Sequence, residues 1–283
     1  MIASLSNSES GILQSIERGA DIVLHTLDQR KFQAHKCILS QASSFFESTF
    51  TLPQADITFL ADGLRVIHLN EPGTVWESLL QLIYPVPDPE LTSLDQVVTL
   101  LAIADKYEMD GVTDRLRHSL AAPAFLSSAP MRVYAIAARF GFTEEARLAS
   151  SHTLGMHILD YDVCPDMREI TVDMYHRLLQ LHRRRGLAAR DKLVFGDGVR
   201  CVQCNPGSAL AATFGTPRWW SVFKTRAAAE LAERPTTAVV FSMKFLVECA
   251  RESRCPQCPG SVLESYAFLE RLKADIDSLP DTI

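Results

Sequence analysis

The chain has 283 residues, a length that allows two or three compact units. Its composition, with 47% hydrophobic and 22% charged residues, is that of an ordinary globular protein and excludes a wholly disordered chain. The net charge of −6 disfavours a nucleic-acid partner held by bulk positive charge.

The N-terminal sequence shows no targeting segment. Residues 1–9 are a polar tail without the basic and apolar parts of a secretory signal. The longest dense apolar run, residues 97–104, is far shorter than a bilayer span, which needs about 20 residues. We therefore expect an intracellular protein without membrane contact, in the cytoplasm, the nucleus or both, whose seven cysteines are thiols or metal ligands rather than disulfides.

Residues 10–119 predict a small sheet covered by helices. A short amphipathic helix over residues 11–19 precedes a β-hairpin, whose strands flank a polar turn at Asp28 and Gln29. Two short helices, a strand and three helices follow, at residues 35–40, 43–50, 65–70, 74–84, 93–112 and 112–121. Ser93 and Gln96 have the spacing of a capping box. This order of elements indicates an α+β fold with helices massed on a small sheet.

Residues 120–185 are helical without strands, with helices predicted at 129–142, 144–158 and 171–185. The run "HRRRGLAAR", residues 182–190, is basic. We interpret it as a solvated helix end, with a nuclear-import patch or a phosphate contact as alternatives.

Residues 186–283 have a different character. The stretch 191–204 predicts strand, Gly-Asp-Gly turn and strand, closed by Cys201-x-x-Cys204. Three helices follow: one with Thr216 as its N-cap and Pro217 at its first position, one that runs to Cys249, and one opened by a second capping-box pattern, Ser261 and Glu264.

Four ordered motifs within residues 10–120 resemble the BTB/POZ fold. The first is an Asp that begins the first strand, and the second is an Ala-His-Lys step that leads into Leu-Ser-x-x-Ser-x-x-Phe. A Leu-rich helix that ends in Tyr, "LLQLIY", and an Ala-x-Lys-Tyr helix, "LLAIADKYEM", complete the set. The first two motifs fall on Asp21, Ala34, His35, Lys36, Leu39, Ser40, Ser43 and Phe46. Residues 120–185 are similar to the BACK-like extension that follows many BTB domains, and the whole arrangement resembles BTB proteins common in fungi.

The resemblance implies a non-enzymatic protein-interaction module that forms homodimers. The N-terminal helix of such domains packs across a two-fold axis, and Ile12, Leu13 and Ile16 supply an apolar stripe suited to that contact; the alternative is a helix docked on its own domain. Asp21 and Lys36 match a charged pocket near the dimer interface, where we expect a partly buried ion pair.

His35 and Phe46 are signature residues of the fold. We expect His35 to hydrogen-bond backbone groups at the strand-to-helix turn, since no acid or nucleophile is arranged with it. Phe46 is expected in the core. For Cys37 we expect a buried, inert thiol.

Some BTB proteins recruit a cullin-type ubiquitin ligase scaffold, which makes a substrate adaptor the alternative function. Such adaptors commonly carry a hydrophobic-x-Glu motif after the Phe helix. Here the corresponding segment, residues 51–65, contains no Glu, and this departure weakens the adaptor interpretation.

Two cysteine pairs, Cys201-x-x-Cys204 and Cys255-x-x-Cys258, have the spacing that supplies four thiolates to one structural zinc. The 50 residues between the pairs are more than an ordinary zinc ribbon has, so unliganded thiols and a redox or regulatory role stay open.

A zinc- or thiol-dependent enzyme is the remote alternative, because no histidine has the His-x-Glu pattern of a deaminase site. For Cys249 and the Trp219–Trp220 pair, core packing is the expected role.

Overall fold

A computed structural model describes residues 18–51, 58–59, 63–196, 199–204 and 216–283. The chain divides into two compact units, Met1–Phe125 (the front unit) and Leu126–Ile283 (the rear unit). The predicted interface residues Ile12, Leu13 and Ile16 lie outside the described residues. The further division of the rear unit at residue 186 stays a prediction.

The front unit is built on a four-stranded sheet in the order β2-β1-β4-β3. The strands are β1 (Ile22–His25), β2 (Lys31–Ala34), β3 (Thr58–Phe59) and β4 (Arg65–His68). β1 pairs antiparallel with β2 and parallel with β4, and β3 pairs antiparallel with β4. The predicted hairpin and the strand near residue 65 are confirmed, whereas the two-residue β3 was not predicted.

Helices cover this sheet, as the sequence predicts for an α+β fold. They are α1 (Lys36–Ala42), α2 (Ser44–Thr51), α3 (Gly73–Ile83), α4 (Leu94–Lys106) and α5 (Asp110–Leu120), and α6 (Pro123–Ser128) follows them. The capping box at the start of α4 is confirmed: Ser93 accepts a hydrogen bond from the amide of Gln96, whose side chain accepts one from the amide of Ser93.

An aromatic cluster fills the core of the front unit. Phe46 is fully buried, stacks on Tyr107 with ring centroids 5.6 Å apart and meets the edge of Trp76 at 5.9 Å. The neighbouring Phe45 is 41% exposed. Cys37 is exposed too, and so the expectation of a buried thiol there was wrong. Because α1 and α2 are short, each buries a single narrow face, and these two positions fall outside it.

A buried carboxylate ties the loop before α3 to the end of α4. Glu71 is 6% exposed and accepts hydrogen bonds from the Tyr107 hydroxyl at 2.9 Å and the Trp76 indole at 3.3 Å, and it forms an ion pair with Lys106. Burial acts to raise the pKa of Glu71, but the hydrogen bonds from Lys106, Tyr107 and Trp76 outweigh it and hold this pKa below its usual value.

The described part of the rear unit is built of helices joined by irregular chain. Its helices are α7 (Pro130–Arg139), α8 (Thr143–Thr153), a 3-10 turn (Pro165–Glu169), α9 (Val172–Asp191), α10 (Arg218–Glu233), α11 (Thr237–Val240), α12 (Met243–Glu252), α13 (Cys258–Glu264) and α14 (Tyr266–Asp277). α9 runs through the whole basic stretch 182–190 and ends one residue later, at Asp191, so this stretch forms the C-terminal part of the helix.

Three local predictions in the rear unit were wrong. No strand pair forms over the described residues of 191–204, where α9 continues to Asp191 and irregular chain follows. Pro217, not Thr216, is the residue before α10. Ser261 lies inside α13 and caps no helix, because the helix begins at Cys258.

α9 and α10 pack closely at a glycine. A Cβ on Gly186 would lie 2.8 Å from the backbone oxygen of Leu231, so only glycine allows this approach. Trp219 and Trp220 are buried on the same side of α10 as Phe223, as predicted. His182, on α9, is also buried, and burial lowers its pKa to about 4.

Replacing the buried carboxylate is expected to destabilise the front unit. In Glu71→Gln, an amide N–H faces the donors of Tyr107, Trp76 and Lys106, which should cost about 2 to 4 kcal/mol of unfolding free energy in urea denaturation. The contribution of a carboxylate with a lowered pKa is present above the unfolded-state pKa and lost as the pH falls through the folded-state value, so the difference between wild type and variant should shrink in acid.

Glu77→Gln is the matched control. Glu77 pairs with Arg30 at 2.8 Å at a partly exposed site, where the Arg30 side chain is 38% exposed, and removing this pair should cost less than about 1 kcal/mol. Equal losses for the two variants would contradict the role given to Glu71.

Candidate metal centre and the front-unit signature residues

Asp21 and Lys36 meet, but not as the expected ion pair. The Asp21 carboxylate accepts a hydrogen bond from the backbone amide of Lys36 at 2.8 Å, and Asp21 is exposed. Lys36 is the first residue of α1, whose own N-cap, His35, makes no side-chain capping bond. Asp21, the residue before β1, therefore caps α1. This role needs its carboxylate but not the Lys36 ammonium.

His35 holds the turn from β2 into α1. Its Nε2 donates to the carbonyl of Arg18 at 3.1 Å, and its Nδ1 lies 3.2 Å from the hydroxyl of Tyr84. The same hydroxyl accepts the backbone amide of His35 at 2.9 Å. Since Tyr84 ends the Leu-rich helix, this contact joins two of the four sequence motifs.

The four cysteines of the two Cys-x-x-Cys pairs converge. The sulfurs of Cys201, Cys204, Cys255 and Cys258 all lie within 4.8 Å of one another. The distance is 3.7 Å from Cys201 to Cys255, 3.7 Å from Cys204 to Cys258, and 4.0 Å from Cys201 to Cys258. All four are free thiols. A tetrahedral metal with bonds of about 2.3 Å to sulfur sets its ligands about 3.8 Å apart, and the observed spacing matches that value.

Local structure explains how two distant segments deliver these sulfurs. Cys201 and Cys204 lie on the irregular chain before α10. At the end of α12, Arg254 adopts a left-handed conformation with φ of 52°, which turns the chain toward Cys255. Cys258 is the first residue of α13, one helical turn later.

Backbone amides face the sulfurs, and they come mainly from a helix N-terminus. The amide of Arg218, the first residue of α10, lies 3.4 Å from the sulfur of Cys204. The next amide, of Trp219, donates to Cys258, and that of Gln257 donates to Cys255. The positive end of the α10 dipole thus points at the cluster and favours negative charge on the sulfurs.

The thiols differ in acidity. Burial raises the pKa of Cys204 to about 12 and also raises that of Cys258. Burial acts in the same direction on Cys255, but the Gln257 amide and the neighbouring thiols lower its pKa to about 7. One thiolate therefore forms readily, and further ionisation at such short range needs a cation, because like charges repel.

Ser261 supports the cluster in a way that the sequence did not signal. Its hydroxyl accepts the indole N–H of Trp219 at 2.9 Å and donates to the carbonyl of Arg200 at 2.5 Å. It thereby joins α10, α13 and the residue before Cys201. The only sequence signal was a Ser three residues after Cys258, which we interpreted as a helix cap.

The site is closed and not catalytic in form. Cys201, Cys255 and Cys258 are buried, and all four ligand positions of a tetrahedral ion are filled by protein sulfurs, which is the pattern of structural metal sites. Cys249, the fifth candidate, is fully buried in the helical core and outside this cluster, as predicted.

Comparison with known proteins decides the nature of the front unit. A family model described as the BTB/POZ domain matches residues 13–123. This range contains the whole described sheet and all of α1 to α5. Residues 13–123 are a BTB/POZ domain.

Among solved structures, the BTB domain of zebrafish PATZ1 is similar to the chain at 19% sequence identity. That similarity covers 42% of this chain and 98% of that one, with a TM-score of 0.29. No curated protein matches the chain. The likeness of residues 120–185 to a BACK extension and of the whole chain to fungal BTB proteins stays a prediction.

The BTB domain gives the chain a protein–protein interaction module. Over the described residues, no helix combines the length and the apolar character that a membrane span needs.

Two variants of the BTB domain distinguish a helix cap from an ion pair. Asp21→Ala removes the acceptor of the Lys36 amide and should cost about 1 kcal/mol of unfolding free energy. Lys36→Ala keeps the backbone amide and should cost less than about 0.5 kcal/mol. If the two side chains formed an ion pair, both variants would lose several kcal/mol of unfolding free energy. Equal large losses in chemical denaturation would therefore favour the ion pair over the helix cap.

Proposed function

We propose that this chain is a non-enzymatic interaction protein whose BTB domain assembles it into a homodimer and recruits a further protein partner. The observation that carries this proposal is the BTB/POZ match over residues 13–123. A two-fold dimer needs one self-complementary apolar surface, and the matched range includes Leu13 and Ile16 of the apolar stripe.

Three titratable residues of the BTB domain have structural roles. Asp21 caps α1, Glu71 binds Lys106, Trp76 and Tyr107, and His35 bonds a carbonyl and a tyrosine. His35 and the exposed Cys37 share no contact, and they stand apart from any nucleophile–base arrangement among the described residues. These contacts support an interaction surface over an active site.

We infer that the four-cysteine cluster holds one structural zinc ion. The sulfur spacing, the enclosed position and the amides of α10 support this choice, because zinc prefers tetrahedral thiolate sets and needs no open position in structural sites. The ion would join residues 201–204 to 255–258 and so hold α10, α12 and α13 together.

A cullin adaptor remains the alternative partner assignment. The segment where adaptors commonly carry their hydrophobic-x-Glu motif, residues 51–65, falls largely outside the described residues. Its lack of Glu still weighs against an adaptor. Affinity purification that recovers a cullin with the full chain, but not with a chain that lacks residues 10–119, would support the adaptor function.

A variant that lacks residues 1–18 tests the dimer. Light scattering of the full chain should give twice the monomer mass of 31.5 kDa, and the shortened chain should give a monomer at the same concentration, because the apolar stripe is gone. A point variant with Ile12, Leu13 and Ile16 changed to Ser serves as a second test that keeps the length. A dimer that survives both changes removes this helix from the interface.

Metal analysis tests the zinc site. The purified chain should contain one zinc per chain, and Cys204→Ser should contain much less than one. Cys37→Ser, an exposed thiol in the BTB domain, is the matched control and should keep its zinc.

A strong chelator should lower the melting temperature of wild type and Cys37→Ser, and it should leave that of Cys204→Ser unchanged. Metal-free wild-type protein with an unaltered melt would end the zinc proposal.

A further inference from the structure

The outer face of α9 carries a group of exposed arginines. Arg177, Arg183, Arg184 and Arg190 are exposed, and none of them has an ion-pair or hydrogen-bond partner among the described residues. The fifth arginine of the helix is different: Arg185 is buried and donates to the carbonyls of Pro235 at 2.9 Å and Ile276 at 3.2 Å. Arg185 therefore serves the fold, and the other four form an unpaired basic surface.

Helical spacing sorts these four arginines into two rows. Arg177 and Arg184 are seven residues apart, as are Arg183 and Arg190, so the members of each pair lie on one side of α9 about 10 Å apart along its axis. Each row borders a different cleft. Unpaired charges at a fixed spacing are suited to a partner that extends along the helix.

Both clefts have largely apolar walls. The cleft beside Arg177 and Arg184 has a volume of about 440 Å³ and is lined by Leu181, Ala188, Leu279, Pro280 and Ile283. The cleft beside Arg183 and Arg190 has a volume of about 380 Å³; its apolar lining residues are Ile158, Leu159, Leu179, Leu187 and Ala232, and Glu233 also lines it. At its rim Leu159 is 75% exposed and Leu187 is 50% exposed, although both side chains are large and aliphatic. Large exposed apolar side chains beside a cleft are typical of binding surfaces.

The arginine rows and the apolar clefts together indicate the chemistry of a binding partner. Guanidinium groups pair with carboxylates in bidentate geometry, and apolar clefts beside a helix accept the apolar side chains of a bound peptide. A nucleic-acid backbone makes no use of apolar clefts, which favours a protein partner over nucleic acid. We propose that the outer face of α9 binds an acidic amphipathic segment of a partner protein, with carboxylates on the arginine rows and apolar side chains in the clefts. This assigns a second binding surface, in the rear unit, beyond the BTB-mediated assembly proposed above.

A display library of random 16-residue peptides tests the proposal on the full chain. We expect selection to enrich peptides that combine Asp or Glu with Leu, Ile or Phe. Their affinity should fall about tenfold or more for the double variant Arg183→Glu/Arg190→Glu, because attraction is replaced by repulsion. Arg251→Glu/Arg271→Glu, a double reversal at exposed arginines on α12 and α14, is the matched control and should bind like wild type.

Two further measurements keep the test independent of folding. Circular dichroism melts should show that both double variants fold like wild type. Selected peptides with Glu changed to Gln should bind wild-type protein about tenfold more weakly, and this comparison leaves the protein unaltered.

Three results would overturn the proposal. One is a selection that enriches nothing beyond an unrelated control protein. Another is a set of peptides without acidic residues, or with equal affinity for the α9 variant and wild type. The third is a 16-nucleotide single-stranded DNA that displaces the peptides and binds more tightly than they do, which would assign the arginines to nucleic acid.

Discussion

The convergence of four sulfurs is the constraint on which the rear unit depends. Cys201 and Cys204 lie on irregular chain, and Cys255 and Cys258 lie more than 50 residues later, so loop-closure entropy opposes their meeting. Four thiolates at this distance repel one another, so the proposed dication would convert repulsion into attraction, and the α10 amides would complete the charge balance. An apolar core around Trp219, Trp220 and Phe223 packs the same helices, and the ion would tie α10, α12 and α13 together at one point.

The BTB domain is held together by an apolar core. Its sheet and helices enclose an aromatic core around Phe46, Trp76 and Tyr107, and a single buried carboxylate, Glu71, satisfies the polar edge of that core. Buried polar groups with complete hydrogen bonding favour one arrangement over others. The front unit has its own core, and the rear unit has a second apolar core beside its four-cysteine cluster, so each unit can keep its surface free for partners. This fits the proposals that the BTB domain assembles copies of the chain and that the α9 surface binds a second protein.

Much of this architecture could be predicted from the sequence, because strong local signals carry it. The hairpin has alternating residues about a polar turn, the capping box of α4 has its Ser and Gln three apart, and two Cys-x-x-Cys pairs predict that four sulfurs come together. The failures have physical causes. β3 has two residues, too few for periodicity, and the strand-like apolar run at residues 193–195, just after the end of α9, is irregular chain. We predicted that the Asp21 carboxylate pairs with the Lys36 ammonium. The sequence does not tell whether a carboxylate contacts that side chain or the backbone amide of the same residue. The role of Ser261 depends on three segments meeting, which no local pattern encodes.

Native mass spectrometry of the full chain tests both halves of this account at once, because one spectrum weighs the assembly and counts its metal. The expected species has twice the 31.5 kDa mass of one chain plus two zinc ions, one for each cysteine cluster. A folded single chain as the sole species, or folded protein of either mass that carries no metal, would contradict it.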